Sequence, residues 1–519
     1  MPKRLAPLAL AVALALGGGG MAWTPPAVAQ EGRGALERLP GERLFTVAYT
    51  QIADVYLDPP DLRRLMVDGL RGLAEVEPGL SLGLGKDKLV AKVGNLSLGE
   101  MALPDGNDPQ DWAQATAKVL EKLRPLSPKL GGMGRDELYS HFFTAMVSDL
   151  DPYSRYTDAR QAGAERSQRE GYGGVGISIR YAGNIPEIAA IQPDGPAEKA
   201  GLVIGERIYA IDGTSTAGLE QDAVGNRLRG MEGTSVLLTV GPVANHTRKV
   251  SVRRAHVVPT TVEARITDGV GVLRVDRFNA ATETTLRAAA ARLAQQLGPS
   301  AKGYVLDLRG NPGGKLDQAV AVADLFVREG RIITTRGRNP ASLQQWDAKP
   351  DDILDGKPMV VLVDGRSASA AEIVAASLQD SGRAVLVGAS SYGKGSVQTV
   401  TTLPNQGELF LTWARIYAPS GYTLHRQGVQ PTICTSNDVA TPEQAFQVLK
   451  AGGTVPPSTL ALWRMRAPED EAALTELRGA CPYKEHAPEL DVDIAKALLG
   501  DPNLYARALA LSGTRMAQR

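Results

Sequence analysis

The sequence predicts a multidomain mixed α/β protein, and three observations carry that expectation. At 519 residues the chain exceeds what one hydrophobic core organises. Between 256 and about 430, short apolar runs alternate with helical patterns, as in a sheet covered on both faces. Ahead of them, residues 165–255 read as short strands punctuated by glycine turns.

The N-terminal residues 1–29 have the layout of a secretory leader. Lys3 and Arg4 precede an apolar run from Leu5 to Leu16, and Ala27-Val28-Ala29 supplies a small-x-small cleavage site before Gln30. The run is too short to span a bilayer comfortably, so export to the periplasm or another extracytoplasmic space is expected. A leader that stayed uncleaved would instead hold the protein at a membrane. In an oxidising compartment Cys434 and Cys481 can pair, closing a loop of 47 residues.

Residues 30–160 read as mainly helical. Leu44, Val47, Ala48, Ile52 and Val55 recur at helical spacing, as do Leu62, Leu65, Met66, Leu70 and Leu73 after the Asp58-Pro59-Pro60 break. A further amphipathic stretch covers 136–150, and Lys88 to Leu98 suggests a strand pair. Residues 435–519 read as a helical C-terminal extension, with Ala445, Val448 and Leu449 on one stripe and Ile494, Leu498 and Leu499 on another. Formal net charge is zero, which argues against nucleic acid as a partner. The five histidines are scattered without ligand spacing, so neither a metal nor another cofactor is expected.

In 165–255, Gly174-Val175-Gly176-Ile177-Ser178-Ile179 leads into a strand. Pro193-Asp194-Gly195-Pro196-Ala197 opens a short helix, 219–229 is helical, and 235–241 and 247–254 are strands. This succession resembles a PDZ domain. The resemblance implies that the turn Gly173, Gly174, Val175, Gly176 and Ile177 binds peptide, its free N–H groups holding a terminal carboxylate while the peptide adds as a strand.

In 256–434, Tyr304 to Leu308, Met359 to Asp364 and Ala384 to Gly388 are buried strands. Helices are expected from Lys315 to Val327 and from about Ala370 to Gln379. Ser369 stands where the second strand turns into its helix, and free N–H groups at a helix N-terminus favour a developing oxyanion. Ser369 and Glu372 also have the spacing of a capping box, which needs no chemistry. Lys394 lies 25 residues on, between Gly393 and Gly395. A buried lysine amine loses its proton more easily and can then deprotonate a hydroxyl. If the following segment is extended, Gln398 points the same way and can aim the amine. Gly388 to Lys394 also spells most of a phosphate-binding loop, but Gly395 replaces the required Ser or Thr and a strand follows.

Further fragments complete a pattern: Leu150-Asp151-Pro152-Tyr153-Ser154, Asp307-Leu308-Arg309-Gly310-Asn311-Pro312-Gly313-Gly314, Ile416-Tyr417-Ala418-Pro419-Ser420-Gly421 and Gly428-Val429-Gln430-Pro431. In this order they resemble the carboxyl-terminal processing, or tail-specific, proteases. That resemblance implies a serine endopeptidase whose core has the crotonase- or Clp-like sheet-and-helix fold. Ser369 is then the nucleophile, Lys394 the general base and Gln398 the orienting residue. Gly313 or Gly314, together with Ala370, supplies the oxyanion hole. Its substrates are proteins or peptides with accessible C-termini; an adaptor protein and a homo-oligomer stay open.

Here Ala371 stands for a usual serine, Tyr153 for a frequent histidine and Tyr422 for a frequent arginine. Residues 77–133 and the tail after 435 have no counterpart in the pattern. Two rival readings are a catalytically inactive PDZ adaptor on a protease fold and a Ser-His-Asp hydrolase using His425 or His256. In the second, neither histidine sits in a motif of that class.

Overall fold

The computed structural model describes residues 39–436, 439–484 and 488–512. The expected leader lies outside them. Six strands form the central sheet in the order Val262–Thr267, Val270–Val275, Gly303–Asp307, Met359–Val363, Val385–Gly388, Ile433–Cys434. The first pair is an antiparallel hairpin and the remaining neighbours are parallel. The three middle strands are buried at every position, because both faces are covered.

Side-chain alternation divides their apolar residues between two cores. Leu306, Met359, Val361 and Leu386 face one layer, which includes the helices Thr282–Leu297, Leu316–Asp324 and Ala370–Asp380. Val305, Val360, Leu362, Val385 and Val387 face the other, built from the tail helices Pro442–Lys450, Pro488–Leu499 and Pro502–Ser512. The helical tail is therefore a structural layer. Without it, one apolar face of the sheet would meet water.

An antiparallel sheet stands beside this one, in the order Gln344–Asp347, Arg331–Arg336, Glu408–Tyr417, Ser396–Thr402, with Arg155–Thr157 also pairing with Glu408–Tyr417. The N-terminal region packs its helices Glu42–Val55, Leu62–Gly72, Pro109–Leu123 and Arg135–Ser148 around a cluster that includes Phe45, Tyr139, Phe142 and Phe143. The strand pair expected near 88–98 is a three-stranded meander, Leu80–Leu84, Lys88–Val93 and Leu96–Ala102. Its first strand buries only Leu80, too little for an alternation to be visible. This region reaches the second sheet directly: the Leu57 amide donates to the Thr412 carbonyl at 2.8 Å.

Residues 177–253 form a separate sheet, ordered His246–Arg253, Ser235–Val243, Arg207–Ile211, Ile185–Ile191, Ile177–Ala182. Ile177–Ala182 is an edge strand of this sheet. The chain enters and leaves through a two-stranded ribbon, Tyr172–Gly174 against Ala255–Val257.

Cys434 and Cys481 are joined by a disulfide and both are buried. The bridge ties the last strand of the central sheet to the segment after the helix Glu471–Gly479. The Cys481 carbonyl in turn accepts the Ser390 amide at 3.0 Å. Closing a 47-residue loop removes denatured-state entropy equivalent to about 4 kcal/mol. Urea unfolding should show Cys481→Ser losing a stability of that order, and reductant should produce the same loss in the wild type. An unchanged midpoint in both would show that the bridge contributes nothing.

Candidate active site

Three loops meet where three adjacent parallel strands end. They follow Gly303–Asp307, Met359–Val363 and Val385–Gly388, and they carry Asn311 to Gly314, Ser369 and Lys394. The carboxyl ends of parallel strands are where open α/β sheets place their sites.

The serine loop is set by its own polar groups. Asp364 accepts N–H bonds from Gly310 at 2.9 Å and from Arg366 and Ser367 at 3.0 Å. Ser367 Oγ accepts from the Asp364 amide and donates to the Leu308 carbonyl at 2.8 Å, so this buried hydroxyl is committed to the turn. Ser369 is the partly exposed serine of the loop. Its backbone has φ +56° and ψ −112°, a conformation that costs a residue with a β-carbon about 1–3 kcal/mol. Surrounding bonds hold it there: the Ser369 amide donates to Glu372 Oε2 at 2.7 Å and the Ala368 amide to the Asn311 carbonyl at 2.9 Å.

Asn311 organises the neighbouring loop. Its Nδ2 donates to the Val275 carbonyl at 2.7 Å and its Oδ1 accepts the Gly313 amide at 2.8 Å. Gly313 has φ +101°, and a β-carbon there would lie 2.8 Å from both the Ala368 oxygen and Ser369 Cβ. Only glycine lets this loop press against the serine. Since its N–H is taken by Asn311, Gly313 has no donor left to offer. The amides of Gly314 and Ala370 have no acceptor among the described residues.

The lysine loop is pressed equally close: a β-carbon on Gly395 would sit 1.9 Å from the His425 nitrogen. Glu372 joins this loop to the serine. Its carboxylate is fully buried and, besides the Ser369 amide, accepts Ser391 Oγ at 2.5 Å, the Gly393 amide at 2.6 Å and the Lys394 amide at 2.9 Å. Burial pushes its pKa up, against the pull of these four donors.

The Lys394 amine lies 5.2 Å from the centroid of the Tyr153 ring and makes no hydrogen bond or ion pair among the described residues. Its pKa is lowered, chiefly by burial, with the Arg155 cation adding to the effect and Glu372 and Asp151 opposing it. Arg155 is clamped in place, 3.8 Å above the Phe410 ring and paired to Glu165 at 3.1 and 2.6 Å. Ser369, Ala370, Gly313, Gly314, Lys394 and Gln398 all line one cleft of about 690 Å³.

Gln398 does not reach the amine in this structure. Its Nε2 donates to Ser396 Oγ at 2.9 Å and Thr412 Oγ1 at 3.2 Å. The strand begins only at Ser396 and its register shifts between Val397 and Gln398, so alternation does not carry from 394 to 398.

Neither histidine of the rival reading lines the cleft. His425 Nδ1 is 3.1 Å from Arg415 Nη1, a donor only, so that lone pair is occupied. Burial first, then Arg415 and Arg426, push its pKa down to about 4. His256 lies in the ribbon, bonded to Glu232 and to the Glu170 carbonyl. The segment after Lys394 is a strand, which excludes the helix that a phosphate-binding loop needs.

A second groove, of about 310 Å³, runs between the edge strand Ile177–Ala182 and the helix Gln221–Leu228. Val175, Gly176 and Ile177 line it. Gly173 and Gly174 are absent from its lining, because the ribbon with Ala255–Val257 takes them, and the Gly173 carbonyl accepts the Gly230 amide at 3.0 Å.

A hydroxyl at a helix N-terminus, a desolvated amine and two unengaged amides are the parts needed for nucleophilic acyl transfer. Sequence reasoning missed how far Glu372 reaches. The Ser369–Glu372 spacing signals the cap, but nothing local signals the three bonds to 391–394. It also missed Arg155 and the ring of Tyr153 beneath the amine.

Residues 269–435 match peptidase family S41, and 187–240 match a PDZ domain. The chain is 37% identical over 315 residues to the carboxy-terminal-processing protease of Bartonella bacilliformis, covering 60% of this chain and 73% of that protein. It is 32% identical over 330 residues to the carboxyl-terminal-processing protease of a Picosynechococcus strain, covering 62% and 77%. Among solved structures, the photosystem II D1 C-terminal processing protease is 26% identical, with a TM-score of 0.36 over 72% of this chain and 92% of that one. The chain belongs to the carboxy-terminal-processing proteases, serine-type peptidases of family S41 that carry a PDZ domain.

Proposed function

We propose that Ser369 is the nucleophile and Lys394 the general base, acting on protein tails held in the groove beside Ile177–Ala182. The observation that carries this reading is Glu372, whose one carboxylate bonds the backbone of both residues at a shared cleft. The amine leaves the Tyr153 face and takes the Ser369 proton as Oγ bonds to the peptide carbonyl carbon. The oxyanion rests on the Gly314 and Ala370 amides. The ammonium then returns the proton to the departing amine of the cleaved peptide. Water, deprotonated by the same lysine, attacks the acyl carbon; the ester C–O bond breaks and the ammonium returns the proton to Ser369 Oγ, which restores serine and neutral amine.

The reading also takes the protein to act outside the cytoplasm. Residues 1–29 have the pattern of an export leader, and the disulfide between Cys434 and Cys481 suits an oxidising compartment.

Ser369→Ala and Lys394→Ala should each lower kcat by about 10³-fold or more, measured on a C-terminally tagged peptide, while His425→Gln and His256→Gln keep most of it. An active Lys394→Ala enzyme would end the assignment. The base must be uncharged to work, so kcat/KM should fall as pH drops through the Lys394 pKa. Arg155→Gln removes a nearby cation, raises that pKa and should shift this acid limb to higher pH.

Ile177→Asp in the groove should raise KM about tenfold for a substrate with a free carboxyl tail and leave an amidated tail unaffected. Equal effects on both tails would remove the groove from substrate capture.

A further inference from the structure

Beyond the Tyr153 ring under the amine and the Asp151 charge near it, the fragment Asp151-Pro152-Tyr153-Ser154 ends one side of a continuous hydrogen-bond chain into the cleft. Asp151 Oδ1 accepts the Tyr153 amide at 2.8 Å, the Ser154 amide at 3.1 Å and Thr412 Oγ1 at 2.9 Å. Its Oδ2 accepts Ser154 Oγ, which itself accepts the Thr412 amide at 3.0 Å. A carboxylate has no proton to give, so the single hydroxyl proton of Thr412 points at Asp151.

That fixes the next link. Thr412 Oγ1 can only accept from Gln398, so Nε2 must be the amide atom facing it, at 3.2 Å. The second amide proton goes to Ser396 Oγ at 2.9 Å. Both N–H groups of Gln398 are therefore spent, and its carbonyl oxygen has no partner among the described residues. Gln398 and Lys394 line the same cleft.

We propose that Asp151 and Thr412 are positioning residues that fix the Gln398 amide with its carbonyl oxygen, and not an N–H, available to the Lys394 amine. The difference decides whether the base can work. An N–H aimed at a neutral amine would occupy the lone pair that must receive the Ser369 proton. A carbonyl accepts one of the amine's own hydrogens, leaves the lone pair free, and stabilises the ammonium once it forms. The inference rests on the Ser369–Lys394 reading and adds to it the direction in which the amide is held.

The test compares Thr412→Val, Thr412→Ser and Lys394→Ala on a C-terminally tagged peptide, with thermal midpoints recorded for each. Thr412→Val should lower kcat by about 10²-fold with KM within about twofold of wild type. Losing the carbonyl that stabilises the ammonium also lowers the Lys394 pKa, so the acid limb of kcat/KM should move to lower pH. Thr412→Ser keeps the hydroxyl and should restore kcat to within about threefold.

If Thr412→Val does not fold, Asp151→Asn carries the test. It offers a donor to Thr412, frees that proton to turn toward Gln398, and should reproduce the kcat loss with KM near wild type; removing the Asp151 charge lowers the Lys394 pKa by itself, so the acid limb is read only in Thr412→Val. Wild-type kcat in Thr412→Val overturns the proposal, and so does a loss with an unmoved acid limb that serine fails to rescue. Activity in Lys394→Ala would instead remove the underlying assignment, so the two failures are distinguishable.

Discussion

The site depends on one buried carboxylate. Glu372 has no cation paired to it among its bonds; four neutral donors offset the large penalty of taking its charge out of water. One donor comes from the serine and three come from 391–394. The separation of nucleophile and base is thus set by a single rigid group on a buried helix turn, and not by two loops moving independently. The same bond helps hold Ser369 in its unfavourable positive-φ conformation.

That arrangement also explains why two groups of opposite type shift toward neutrality. Dry surroundings raise the pKa of Glu372 and lower that of Lys394. Within the pair, the negative carboxylate favours the ammonium and works against a free base. Burial of the amine outweighs it, and Arg155, immobilised between Phe410 and Glu165, tips the balance further. The distant layers serve the same end. The tail covers the second face of the sheet, and its Arg478 donates to the Ser391 carbonyl at the base of the lysine loop. The N-terminal helices reach the Thr412 carbonyl through Leu57.

Much of this was legible in the sequence wherever a local pattern carries the signal. Fully apolar runs such as Met359 to Val363 announce buried parallel strands, and the serine and lysine fragments announce their loops. What escaped is non-local or set by a single backbone irregularity. Gly173 and Gly174 look like part of a peptide-binding turn, but the distant strand Ala255–Val257 pairs with them. Gly313 and Gly314 look equivalent until the Asn311 side chain takes one of the two amides. The register shift beside Gln398 leaves no mark on residue spacing. The tail reads as helices, but its role as a layer depends on which face of the sheet would otherwise be bare.

The central claim is that the Lys394 amine is neutral when the enzyme works. Titrating its Cε and Nζ resonances by NMR in isotope-labelled Ser369→Ala protein, assigned by Lys394→Arg, measures that property itself. A midpoint below the ordinary lysine value of about 10.4 is the expected result. A midpoint at or above that value would mean an ordinary ammonium, and the site as described would have no base.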